Sequence, residues 1–146
     1  MGPVICATRG GQGSRAAQLG AIRYARDLGT RLTFLYVVDI RMLGDVDEKL
    51  VAAVRSELQW LGQALLRVAK QRAEHAGIDV DIVIREGIVR DEIVHYLQDS
   101  HAALLVLGAP RGTSSQFGDD SIELFARSIE EDAGVSVQVI RPEDVP

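Results

Sequence analysis

The residues best suited to chemistry stand at two glycine-bearing bends. One is Arg9-Gly10-Gly11-Gln12-Gly13-Ser14, and the other is Gly108-Ala109-Pro110-Arg111-Gly112-Thr113-Ser114-Ser115. Glycine turns let backbone N–H groups come close to an anion, and a helix that starts there adds partial positive charge. Arg9 and Arg111 supply guanidinium groups, which bind phosphate or carboxylate through paired hydrogen bonds. Thr113, Ser114 and Ser115 add hydroxyls. The chemistry on offer is the holding of an anion.

Other chemistries find little support. Gly11-Gln12-Gly13-Ser14-Arg15-Ala16 formally matches the dinucleotide fingerprint G-x-G-x-x-A, and Asp39 falls roughly where a ribose-binding acid belongs. Such turns also serve as plain strand-to-helix corners. A P-loop needs G-K-[ST], and neither lysine, Lys49 or Lys70, follows a strand. A nucleophile elbow, G-x-S-x-G, is missing. His75, His95 and His101 share no metal-ligand spacing with each other or with Cys6. Asp39 and Glu86 are carboxylates that reach the pocket mouth without forming an evident acid pair. With no base or nucleophile in view, a slow phosphoester hydrolase is the least supported of the activities considered.

Composition narrows the field. The 146 residues suit one domain, 1–146, and the formal net charge of -5 argues against a general nucleic-acid binder. One cysteine, Cys6, gives no disulfide framework and reads as a small core residue in a reducing compartment. No apolar run nears the roughly 20 residues of a membrane span, and the start, MGPVICATRGG, lacks the pattern of a signal peptide. The expected location is cytoplasmic, with no membrane and no nucleic acid as partner.

The elements that position the two bends follow from periodicity. Val4 to Thr8 reads as a strand, and Ser14 as the N-cap of a helix whose apolar face is Ala16, Ala17, Leu19, Ile22, Ala25 and Leu28. Arg31 to Asp39 is a second, β-branched and aromatic strand. A long helix from about Glu48 to Ala76 carries a stripe of Leu50, Val54, Leu58, Leu61, Leu65 and Val68. It either overhangs the sheet or breaks near Gly62, and Trp60 is expected to be partly covered. Asp79 to Arg85 is a strand, Val89 to Ser100 a helix, and Ala103 to Leu107 a strand buried on both faces. Asp120 and Glu123 have capping-box spacing and open a last helix. Val135 to Ile140 closes the set as a strand. Strict alternation predicts an α/β fold, a doubly wound five-stranded parallel sheet of order 3-2-1-4-5 with helices on both faces. The reversal beside strand 1 opens a crevice beyond strands 1 and 4, where the two bends meet. Val135, Val137 and Val139 alternate along the final edge, which predicts a homodimer through Val135 to Ile140.

Three stretches carry a resemblance that spans nearly the whole chain: VICATRGGQGSRAAQLGAIRYARDLGTRLTFLYVVD, IREGIVRDEIVHYLQDSHAALLVLGAPRG and VSVQVIRP. They resemble the universal stress protein family, most tellingly in the run Arg85 to Ile93. The resemblance implies the same 3-2-1-4-5 fold, a homodimer paired through the last strand, and a role in stress tolerance rather than a defined reaction. It also implies ATP as the ligand to consider, since many members hold ATP through G-x2-G-x9-G-[S/T] after strand 4 and an Asp ending strand 1. This chain departs from that pattern. Gly108 keeps the first glycine, Arg111 takes the second with Gly112 one place late, the closing pair falls near Glu123-Leu124, and Arg9 replaces the Asp. Val37 and Val38, near the adenine in the family, are kept. The implied pocket is Arg9, Gly10, Val37, Val38, Gly108, Arg111, Gly112, Thr113 and Ser114, with ordinary ATP binding lost or another phosphate-bearing ligand held in an altered geometry.

Overall fold

The computed structural model describes residues 1–8, 11–41, 47–109 and 121–144. Among the described residues, strands and α-helices alternate strictly: β1 (Val4–Ala7), α1 (Gly11–Leu28), β2 (Leu32–Val38), α2 (Glu48–His75), β3 (Val80–Glu86), α3 (Val89–Asp99), β4 (Leu104–Gly108), α4 (Ser121–Ala133) and β5 (Val137–Ile140), followed by a short 3-10 turn at Pro142–Asp144. The strands form one parallel sheet of order β3-β2-β1-β4-β5, as the alternation predicts.

Strand alternation sends side chains into two separate cores. Val4, Cys6, Leu32, Phe34, Tyr36, Val38, Leu104 and Val106 point at α1 and α2. Ile5, Leu35, Leu105, Leu107 and Val137 point at α3 and α4. The central strands therefore read as unbroken apolar runs, because neither face meets water. Fully burying one such side chain stabilises the fold by about 1.5–3 kcal/mol. Arg90 ties the outer helices of the second layer. It donates to Ser128 Oγ at 2.7 Å and to the Asp132 carboxylate.

The helix ends follow local chemistry. α1 and α2 both close with Schellman bonds, Thr30 N–H to Ala25 C=O and Ile78 N–H to Ala73 C=O, around Gly29 and Gly77 at φ 66° and 77°. α3 closes in the same way, Ala102 N–H to Leu97 C=O, but its left-handed residue is His101 at φ 51°.

Four expectations need correction. Ser14 is no N-cap: α1 begins at Gly11, so Ser14 lies inside the first turn and is buried. The earlier start brings the positive end of the helix closer to the end of β1. The last strand covers Val137–Ile140, not Val135 to Ile140. In α2 the fully buried residues are Gly62, Leu66, Ala69 and Ala73; of the expected stripe Leu58 and Leu65 pack against the core in part, while Leu50, Leu61 and Val68 are exposed. At Gly62 the helix lies close to β2: a Cβ there would stand 2.6 Å from Tyr36 Cδ1. That contact also explains why α2 runs unbroken past Gly62. Trp60, expected to be partly covered, is 69% exposed.

Candidate functional site: the notch above β1

The register of the strands builds a notch. Ala7, the last residue of β1, pairs with Leu35 on one side and Leu107 on the other. β2 runs on to Val38 and β4 to Gly108, so both neighbours overhang the end of β1. Val37, Val38 and Gly108 thus stand on opposite rims of one crevice, at the place where strand order reverses. Val38 faces the α1–α2 core and Val37 the α3–α4 core, so their backbone remains to line the rim. Val38 C=O accepts from Gly87 N–H at 2.9 Å. Arg9, Gly10, Arg111, Gly112, Thr113 and Ser114, the other expected ligands of this crevice, lie outside the described residues, as does Asp120 of the expected capping box.

A polar relay that the sequence reading missed runs down from the floor of the notch. Thr8, just past β1, is buried and donates its N–H to Leu35 C=O at 2.9 Å. Its hydroxyl accepts from Gln18 Nε2 at 3.0 Å, and Gln18 Oε1 accepts from Arg72 Nη1 at 2.5 Å. Three elements, β1, α1 and α2, are joined by these bonds. The signal was available: Gln18 is a large polar residue within the apolar face of Ala17, Ala21 and Ile22.

Both carboxylates near the mouth are committed to arginines. Arg41 grips Asp39 with Nε at 3.0 Å from Oδ1 and Nη2 at 2.7 Å from Oδ2, and its backbone N–H adds a third bond at 3.0 Å. The side-chain and backbone hydrogen bonds from Arg41 hold the Asp39 carboxyl below the usual aspartate range. Arg55 donates to Glu86 at 2.5 Å. Asp39, stabilised as an anion, is thereby a poor proton acceptor, which weakens any general-base role for it. In the first turn of α4, Glu123 accepts from Arg141 Nη2. Burial pushes the Cys6 thiol up, far from nucleophilic thiolate. A cavity of about 330 Å³ lies away from the notch, between α2 and β3, lined by Gln63, Leu66, Arg67, Ile82 and Ile84.

Parallel strands in the order β3-β2-β1-β4-β5 with helices on both faces define a doubly wound, Rossmann-like α/β protein. Residues 1–127 match the model of the universal stress protein family, and the chain belongs to that family. Universal stress protein MJ0531 of Methanocaldococcus jannaschii is 28% identical over 106 residues, which cover 72% of this chain and 62% of that protein. The chain thus spans less than two thirds of that relative's length. Among solved structures, universal stress protein UspA from Lactobacillus plantarum superposes with a TM-score of 0.77 at 18% identity, covering 96% of this chain and 97% of that one. A universal stress protein family protein from Arabidopsis thaliana with AMP bound gives 0.69 at 16% identity, covering 97% and 92%. At these identities the superpositions speak for the fold. Among the described residues, no helix is long and apolar enough to cross a membrane.

Proposed function

We propose that this protein is a cytoplasmic, dimeric regulatory module of its family whose notch does not take ATP in the usual way. The observation that carries this reading is Glu123. A helix N-terminus favours a negative charge, and the first turn of α4 already holds one, a carboxylate bound by Arg141. A phosphate arriving at that turn must compete with this carboxylate for the helix end and for Arg141. In the family pattern Arg111 also takes a position meant for glycine, which close backbone approach to phosphate favours. Calorimetric titration with ATP tests this. No binding heat at high micromolar ATP is expected, whereas a micromolar dissociation constant would overturn the reading. Glu123→Gly is expected to gain affinity.

The dimer in this reading forms through β5. Leu105 N–H and Ala109 N–H bond to Ser136 C=O and Ile140 C=O, so the even-numbered peptides face β4 and the odd ones face outward. Val139 thus offers a free-facing edge, while the Val137 N–H is capped by Glu130 Oε1 at 2.8 Å. Such an edge pairs readily with a copy of itself.

A second reading is favoured by the Arabidopsis thaliana relative with AMP bound. Here an adenine would lie against the backbone of Val37 and Val38, and Arg9, Arg111, Thr113 and Ser114 would hold the phosphate from a shifted loop. Mass spectrometry of the denatured protein, detecting a co-purified nucleotide, would support this second reading against the first.

A further inference from the structure

The outward face of α2 carries a second seam. Ala53, Glu57, Trp60, Ala64, Arg67 and Gln71 recur at alternating steps of four and three. They lie two residues out of phase with the buried Gly62, Leu66, Ala69 and Ala73, hence on the opposite side of the helix. These residues form one continuous stripe, of mixed polar and apolar character, along a helix roughly 42 Å long. Apolar area is exposed on and beside it: Trp60 at 69%, Leu61 at 43% and Val68 at 47%. Tryptophan is among the residue types most enriched at interface centres, and here an exposed one sits between Glu57 and Ala64 on one helix face.

The seam is complementary to itself when reversed. Glu57 and Arg67 stand equally far from Gly62, one on each side, and so do Trp60 and Ala64. Two antiparallel copies of α2 crossing at Gly62 would therefore place Glu57 level with Arg67 of the partner subunit, twice. Each Trp60 ring would share its level with Ala64 of the partner subunit, the largest side chain beside one of the smallest. Both charges are exposed, and among the described residues neither is in an ion pair. We infer that the outer face of α2 docks a second copy of this chain, antiparallel, as an isologous interface separate from the β5 edge.

Trp60 is the only tryptophan, so its emission reports on this face alone. Diluting the wild-type protein from high micromolar to nanomolar concentration is expected to shift the emission to longer wavelength as the ring returns to water. Glu57→Arg sets like charges level twice and is expected to weaken the association about tenfold or more, and Glu57→Arg with Arg67→Glu to restore it. An emission maximum independent of concentration would overturn the inference, as would a double variant no better than Glu57→Arg. Val139→Pro removes the outward donor of β5 without touching the β4 ladder. In that variant light scattering should still find two chains at high concentration. A single chain there, with the emission unshifted, would sink the α2 pairing while leaving the β5 dimer to be judged from Glu57→Arg.

Discussion

Arg72 of α2 donates a 2.5 Å hydrogen bond to Gln18 of α1, a residue 54 positions away in the chain. Gln18 in turn donates to the Thr8 hydroxyl under the notch, so one buried amide joins both inner helices to the central strand. Gln18→Leu strips partners from the Arg72 guanidinium and from Thr8 at once. It is expected to cost about 1–3 kcal/mol, read as a lower urea midpoint with an unchanged slope. Arg72→Leu leaves the Gln18–Thr8 bond in place and is expected to cost less. Equal losses in the two variants would show that the three residues do not act as a chain.

Asp39 gives the fold a pH dependence of known sign. Its folded carboxyl titrates below the ordinary aspartate value because Arg41 bonds the charged form. The unfolded chain therefore takes up the proton first as acid is added. The Arg41 grip contributes fully at neutral pH, begins to fade near the ordinary value of about 3.9, and is lost below it. Arg41→Ala should flatten the fall in stability between neutral pH and pH about 3, measured by urea unfolding at several pH values. A variant with the wild-type slope would contradict this.

His101 occupies a left-handed position that Gly29 and Gly77 fill in the matching turns of α1 and α2. A side chain there strains the backbone. His101→Gly should raise stability by about 0.5–1 kcal/mol, seen as a higher thermal midpoint. The same change placed inside α3, for example at His95, should do the opposite.

The β5 edge can be made weaker or stronger. Val139→Pro removes its outward N–H and should reduce β5-mediated dimerisation. Glu130→Ala releases the Val137 N–H, now bonded to Glu130, and should favour it. Sedimentation velocity on both, in the Glu57→Arg background, would read this edge alone. Identical masses for the two variants would count against pairing through β5.

Much of the fold was legible because the strands alternate between two apolar layers and glycines mark the helix ends. The face of α2 was read partly right: Leu58 and Leu65 of the expected stripe pack against the core, while Leu50, Leu61 and Val68 are exposed. Close packing on Tyr36 calls for glycine at Gly62, and that demand comes from the sheet. At the site, strand order pointed to the end of β4 at Gly108, whereas Val37 and Val38 were singled out only through the family resemblance. The grip of Arg55 on Glu86 was not visible, since 31 residues separate them. Arg9 and Arg111 lie beyond the described residues.

The two apolar layers have no side chain in common among the described residues. Damage in one can reach the other only by altering the spacing of the strands between them. Losses from trimming Phe34 on one side and Leu105 on the other should therefore sum. Each half of the sandwich can drift in sequence without consulting its opposite, leaving the helix faces free to acquire separate partners.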